Sequence, residues 1–282
     1  MSRALTLIDG RKDDRVPASD RGLHYGDGLF ETIAVRRGRP CLWHRHWTRL
    51  TTGCARLHIP VPDAARVIAD VERLLIGADA GDGVLKLMLT RGSGPRGYAP
   101  PPAPTPRCIL SFAPGLPGHS TGAEAGVRLT LCEARLGENP RLAGIKHLNR
   151  LEQVLARAEW SDPAILDGLM CNAQGQVVCG TMSNVFVLDD HGLATPPLTT
   201  CGVAGTVRAV VYECADALGI PVTERVLRPA ELFAARGLII TNALRGAVPV
   251  ADLGGHPYPP EMVPAELIER VRQIALEPET HA

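Results

Sequence analysis

Of the 30 basic residues in this 282-residue chain only three are lysine: Lys12, Lys86 and Lys146. Arginine supplies the rest, so each lysine invites a chemical reason. An ammonium can lose its proton and act as a nucleophile when desolvated, whereas a guanidinium in practice cannot. Lys146 stands in RLAGIKHLNRLEQV, directly before a helical pattern, where it also reads as a plain surface charge. Three further stretches carry chemistry. HRHWTRL places His46 and Arg49 three residues apart on a helix face; such an arginine either clamps a phosphate or is a solvated charge. CGVAGTVRAVV is a glycine turn opening a helix, whose exposed N–H groups make an anion site without any side chain, although glycine before a helix is common. RGSGPRGY offers two arginines and a tyrosine in a loop that grips carboxylates or is merely a solvated turn.

The elements that must position these residues are legible in outline. LTLIDGRK reads as a strand into an Asp-Gly turn, and FETIAVRRGRPCLW as a hairpin with Arg37-Gly38 at its tip. Trp43, Trp47, Leu50, Cys54 and Leu57 mark an amphipathic helix from about His44 to Leu57, with Arg49 on its exposed side. A second helix starts behind Asp63, a plausible N-cap, and buries Val67, Val71, Leu74 and Leu75. VLKLMLT and RCILSF are strands, which puts Lys86 mid-strand as an edge charge or a partly buried partner. APGLPGHSTG, rich in Gly and Pro and free of periodicity, is the candidate linker. Beyond it come a strand in VRLTLCEARL and a helix with Leu148, Leu151, Val154, Leu155 and Ala158 on one face. Short strands follow at AILDGLM, QVV, NVFVL and LATPPL, then a helix in TVRAVVYECADALG that ends at Gly219. PVTERVL, GLIITNA and AVPVADL are further strands, and a last helix starts near Pro264. The reading is an N-terminal α/β domain over 1–113, a linker over 114–122 and a strand-dominated domain with helices over 123–282.

The totals exclude several classes. Apolar content of 45% and charged content of 21% are those of a globular protein. Zero formal net charge gives no electrostatic footprint for nucleic acid or an anionic membrane. The eight cysteines are scattered without a CxxC pair or a His/Cys cluster, which argues against structural zinc and for reduced thiols in the cytoplasm. No apolar run has membrane-spanning length, and the N-terminus lacks a signal-peptide core. No phosphate loop of the GxxxxGK type and no GxSxG elbow occurs.

A nucleophilic lysine with two independent phosphate-holding elements is what a pyridoxal 5'-phosphate enzyme requires. The chain resembles the fold-type-IV pyridoxal-phosphate enzymes, which include branched-chain and D-amino-acid aminotransferases. It is most similar to their 4-amino-4-deoxychorismate lyase branch. The matching segments are SDRGLHYGDGLFET, HRHWTRL, GVLKLMLTRGSGPRGY, RLAGIKHLNRLEQV, MSNVFV, GVAGTVR and ITNALRGAVPV, in the family's order from near residue 19 to near residue 250. The resemblance implies an α+β fold of two domains, a small N-terminal α/β lobe and a larger strand-rich pseudo-barrel lobe that binds the cofactor. It implies a cytoplasmic homodimer acting on a small-molecule substrate, making 4-aminobenzoate and pyruvate for folate synthesis. The alternatives are a D- or branched-chain-amino-acid aminotransferase, or a cofactor-binding protein that has lost turnover.

Carried over residue by residue, Lys146 corresponds to the lysine of the internal aldimine. Arg49 would hold the cofactor phosphate, with the N–H groups of Thr206 and Val207 after Gly205 on the other side. Asn242 and Ala243 lie where the family closes the phosphate cup; some aminotransferases have threonine at the second position, so Ala243 could contribute only backbone. Tyr25, Arg96 and Tyr98 would face the substrate, Arg96 matching an arginine that grips a carboxylate in the D-amino-acid enzymes. One departure stands out. The family places a glutamate against the pyridine nitrogen, in a segment patterned E-G-x-x-x-N-v-F, and here CGTMSNVF puts Cys179 there. A neutral thiol does not keep that nitrogen protonated, which weakens a transaminase more than a lyase whose product becomes aromatic. None of the nine histidines is expected to be catalytic; His46 and His147 would orient neighbours.

Overall fold

Two tight hairpins open the β structure. In the computed structural model, which describes residues 5–117 and 126–279, β1 (Leu5–Ile8) turns through Asp9 and Gly10 into β2 (Arg11–Lys12). After α1 (Arg21–Tyr25), β3 (Gly28–Arg36) turns through Arg37 and Gly38 into β4 (Arg39–Pro40). Both tip residues of each turn have positive φ, the geometry whose twist matches paired strands. Next come α2 (Trp43–Leu57) and α3 (Ala64–Gly77). Asp63 caps α3 as expected, accepting from the Arg66 N–H at 2.7 Å. With β5 (Gly83–Thr90) and β6 (Arg107–Pro114) the strands form an antiparallel sheet ordered β2-β1-β6-β5-β3-β4. Period-2 alternation sends Leu29, Ile33, Leu85, Leu87 and Leu110 to the buried face, where α2 and α3 pack.

The second sheet contains β7 (Val127–Leu136), β8 (Ile165–Asn172), β9 (Val177–Gly180), β10 (Asn184–Asp189) and β11 (Gly192–Thr195). It also contains β12 (Val222–Glu224), β13 (Gly237–Asn242), β14 (Gly246–Leu253) and the short β15 (His256–Pro257). Its order is β12-β11-β10-β13-β14-β7-β8-β9, with β15 on β14. Val177 of β9 and Ala194 of β11 are far apart in that order yet share one core cluster with Val185, Leu129 and Ile240. The sheet therefore curls around its own apolar interior. The helices are α4 (Leu151–Arg157), α5 (Thr206–Ala217), α6 (Pro229–Phe233) and α7 (Ala265–Leu276). α5 lies on the face opposite that interior, where Tyr212 meets Phe186 edge-on at 6.1 Å. Gly219, at φ 66°, follows α5 as the expected stop.

The chain groups into two compact units. One holds the residues up to Pro117, Ile145–Asn149 and the chain from Leu276; the other holds the rest. Of the expected linker, residues 118–122 lie outside the described residues. The short helices α1 and α6 carry too few residues to show a period, and the sequence pattern did not mark them. The apolar stripe of α4 is turned outward: Leu151, Val154 and Leu155 are 76%, 61% and 65% exposed, and it is Ala156 that is buried, beside Trp160 and Cys132. Truncating the fully buried Ile33 to alanine should cost about 2–5 kcal/mol of stability in urea unfolding. Leu155→Gln in dilute protein should change it by less than about 0.5 kcal/mol.

Candidate active site

Lys146 sits on a short backbone segment held at both ends by main-chain hydrogen bonds. Gly144 donates to the Gly202 carbonyl at 3.0 Å and accepts from the Ala204 N–H at 2.9 Å, pairing parallel to Val203. Immediately afterwards the pairing partner is β3. Phe30 N–H donates to the Lys146 carbonyl at 2.9 Å, Leu148 N–H to Gly28 at 3.0 Å, and His147 bridges Leu29. The lysine backbone is thereby fixed like a strand residue rather than a loop residue. Its Nζ lies 4.3 Å from the centroid of the Phe30 ring.

On the opposite face of the same strand, Glu31 is buried and turned toward α2. His46 Nδ1 donates to its Oε2 at 2.6 Å, and Arg49 donates to both oxygens, through Nε at 2.9 Å and Nη2 at 2.5 Å. Burial alone pushes the Glu31 carboxyl up, but the Arg49 charge and the hydrogen bonds from His46 and Arg49 outweigh it and hold the group at about 2. Burial pushes His46 below the usual imidazole range despite its bond to Glu31, so it is neutral at pH 7. Arg49 is not on the solvent side of its helix, as the apolar pattern suggests; its side chain is only 12% exposed, because Glu31 draws it inward. Glu31 is the functional residue that sequence reading missed. Its signal was a lone carboxylate at an inward position of the apolar run GLFETIAV.

The RGSGPRGY loop is tied down by a residue outside it. Arg21 donates to the carbonyls of Gly97, Tyr98 and Ala99 at 3.0, 2.9 and 3.3 Å, and to Asp27 at 2.8 Å. Asp27 also receives Arg91 through two bonds; these cations overcome its burial and hold its carboxyl below the usual range. The loop brings Tyr98 to Tyr25, ring centroids 5.3 Å apart, and leaves Arg96 exposed with no ion pair among the described residues.

In the second unit, Gly205 caps α5 without any side-chain hydrogen bond, so the N–H groups of Thr206 and Val207 open the helix. Gly205 has no room for a side chain: a Cβ there would lie 2.1 Å from Asn184 Oδ1. Asn184 also donates to the Val203 carbonyl at 2.9 Å, bracing the turn before the helix, and it pairs across strands with Thr241. Asn242 ends β13, and its Oδ1 accepts from Leu244 and Arg245 N–H at 3.0 Å each, which shapes the turn containing Ala243. Cys179 is elsewhere in kind, 6% exposed in an apolar cluster with Met170, Val178 and Cys201. Among the described residues no group of three His, Cys, Asp or Glu side chains could hold a metal.

This arrangement can be set beside known proteins. Residues 28–253 match the family described as Amino-transferase class IV, and the chain belongs to that family, with the fold of the fold-type-IV enzymes. It is 36% identical over 247 residues to an aminodeoxychorismate lyase of Vibrio harveyi, covering 87% of this chain and 90% of that one. The solved 4-amino-4-deoxychorismate lyase of Pseudomonas aeruginosa superimposes with a TM-score of 0.87 at 46% identity, over 95% of this chain and 97% of that one. A hypothetical aminotransferase of Mycobacterium tuberculosis in its PLP-bound form aligns with a TM-score of 0.77 at 26% identity, over 94% of this chain and 99% of that one.

Because the Glu31 carboxyl is lower in the folded chain than its ordinary 4.5, its stabilising contribution is full above pH 4.5 and disappears as pH falls toward about 2. Glu31→Gln leaves the Arg49 guanidinium buried without its counter-charge and should cost about 3–5 kcal/mol at pH 7. It should also flatten the loss of stability between about pH 4.5 and 2. Denaturant titrations of both proteins across that range measure each effect.

Proposed function

We propose that the chain is a pyridoxal-phosphate-dependent lyase that converts 4-amino-4-deoxychorismate to 4-aminobenzoate and pyruvate. The observation that carries the reading is the backbone clamp that presents Lys146 beside Phe30 within a fold shared with lyases over nearly its whole length. The residues fit the cofactor. A phosphate needs N–H donors without a competing cap, and α5 begins with uncapped amides behind a glycine that admits no Cβ. A carbonyl needs an amine, and Lys146 is one of only three lysines in the chain. When bound, the cofactor supplies a carbonyl that captures amines and a ring that draws electrons from the bonds next to them.

The protein's own residues then have these tasks. Lys146 Nζ takes the proton from the amine-bearing ring carbon of the substrate and returns a proton to the departing enolpyruvyl group. Arg49, oriented by Glu31, and the amides of Thr206 and Val207 hold the phosphate, and Asn242 with Ala243 shapes the adjoining turn. Tyr25, Tyr98 and Arg96 address the substrate, with Arg96 as the carboxylate grip. Cys179 faces the pyridine nitrogen. The expected domains, 1–113 and 123–282, divide these tasks, with Arg49 in the first and the α5 amides in the second.

A transaminase is the second reading, favoured by the family to which the chain belongs. Glutamate formed from 2-oxoglutarate and an amino donor would reveal it; 4-aminobenzoate formed from aminodeoxychorismate reveals the lyase. We place the enzyme in the cytoplasm as a homodimer. Eight free cysteines suit a reducing compartment, and the outward apolar stripe of α4 suits self-association. No described helix is long and apolar enough to cross a membrane.

The purified protein should absorb at about 400–430 nm, and borohydride should bleach the band and leave the cofactor on the peptide containing Lys146. Label on Lys12 or Lys86 would refute the assignment. Cys179→Glu should raise transamination of simple amino acids relative to lyase turnover, because a carboxylate there keeps the ring nitrogen protonated. The larger side chain enters a packed cluster at a cost of about 1–3 kcal/mol. Folding and cofactor content therefore need checking before rates are compared. An unchanged ratio in a loaded enzyme would make Cys179 a packing residue.

A further inference from the structure

Arg21 is buried at the first position of α1, and a buried arginine needs its charge answered. Asp27 accepts from Arg21 Nε at 2.8 Å and from Arg91 through Nε at 2.8 Å and Nη2 at 3.0 Å. Two buried guanidinium groups therefore divide one carboxylate. Carbonyl dipoles answer the rest of the positive charge. For Arg91 they come from the end of α2, Leu57 and His58, at 2.8 Å each. For Arg21 they come from the RGSGPRGY loop and the residue after it: Gly97, Tyr98 and Ala99, at 3.0, 2.9 and 3.3 Å.

Three successive carbonyls cannot turn to one donor in an extended chain, where they alternate in direction. Gly97 has φ 96°, a backbone that favours glycine, and there the loop folds around the guanidinium. Gly94 lies against the arginine stem, since a Cβ there would be 2.9 Å from Arg21 Cδ. The guanidinium carbon also stands 4.9 Å from the centroid of Tyr25, the ring that Tyr98 meets. The backbone is held while the side chains stay available: Arg96 and Tyr98 are both exposed. A solvated turn needs no such anchor. Opening this loop would strip three acceptors from a buried cation, so the charge itself keeps the loop in place.

We infer that Arg21 is a positioning residue that fixes the loop conformation in which Arg96 and Tyr98, beside Tyr25, meet the substrate. It acts through the loop backbone and touches neither substrate nor cofactor. The inference rests on the proposed assignment of Tyr25, Arg96 and Tyr98 to the substrate.

Arg21→Met should fold, because Asp27 keeps Arg91 as a matched partner and the released carbonyls reach water; a cooperative urea transition checks this. In the cofactor-loaded variant, trypsin should cut between Arg96 and Gly97 at least about tenfold faster than in wild type, because cleavage needs the local opening that Arg21 opposes. KM should rise about ten- to a hundredfold with kcat within about threefold, and the affinity and absorbance of the cofactor should not move. Arg21→Lys should not rescue, since a compact ammonium cannot serve Asp27 and three carbonyls together. Gly97→Ala, whose Cβ would meet nothing within 4 Å, should reproduce both effects through backbone strain alone, and it carries the test if Arg21→Met does not fold. The sharpest comparison is Arg96→Met, which should raise KM about tenfold in wild type but less than about twofold in Arg21→Met, where the side chain is no longer placed. Equal factors in the two backgrounds overturn the positioning role. So do a trypsin rate and a KM that Arg21→Met leaves unchanged, and so does a variant that loses cofactor affinity while KM stays the same. If glutamate forms and 4-aminobenzoate does not, the same comparisons are read in transamination and only the lyase reading fails; the trypsin comparison needs no activity at all.

Discussion

A carboxylate buried in an apolar core has to be answered by nearby positive charge or hydrogen-bond donors, and Glu31 imposes that demand on everything around it. Its partners, His46 and Arg49, are one turn apart on α2, so satisfying them fixes the rotation of the helix against β3. The neutral imidazole donates one bond and adds no charge, and the Arg49 guanidinium supplies the positive charge that answers the carboxylate. An arginine on a helix surface would sample many rotamers; this one is held in a fork on two oxygens, which fixes its guanidinium in one orientation.

β3 then serves two masters through its pleat. Glu31 faces the helices, and Phe30, one residue earlier, faces the other way beneath Lys146. A slip of one residue in the register would exchange the two and lose both the arginine and the lysine setting. The full-length ladder of β3 with β5 guards against that slip, and Lys146 adds its own backbone bonds to the beginning of the strand. The Lys146 side chain is thus carried by paired backbone although it stands between secondary-structure elements. Gly144, two residues earlier, is paired with the turn that leads to α5, so the chain is fixed on both sides of the lysine.

Much of this was legible in the sequence where a local rule governs. The two hairpins follow from Asp-Gly and Arg-Gly tips, α3 from Asp63, the end of α5 from Gly219, and the interest of Lys146 from the scarcity of lysine. What was not legible depends on partners distant in the chain. Periodicity in α4 marks an apolar stripe without saying what covers it, and the stripe proved to face outward. The pattern of α2 put Arg49 with the polar residues, and only the strand beneath reveals a carboxylate that turns it inward. The hold of Arg21 on the carbonyls of Gly97, Tyr98 and Ala99 joins segments distant in the chain and exists only once β3 and β5 are paired.

The segment from Cys179 to Asn184 shows how geometry and charge are divided in the second unit. A carboxylate does lie close by in the fold: Asp167, fully buried on β8. It accepts from the N–H groups of Gly168 and Thr181 and from the hydroxyls of Thr181 and Ser183, at 2.6–3.0 Å. Those bonds take up its lone pairs and lock the turn that carries the chain from Cys179 to Asn184, and Asn184 in turn braces the start of α5. Asp167 is therefore spent on holding shape, and with the Met182 N–H at 3.4 Å its charge is dispersed over five donors. In the proposed reading, with Cys179 facing the ring nitrogen, Asp167 cannot replace the missing glutamate without breaking the brace. A reaction that draws little on the ring nitrogen tolerates this arrangement. Elimination driven by formation of an aromatic product is such a reaction, and storage of a carbanion in the ring, as transamination requires, is not.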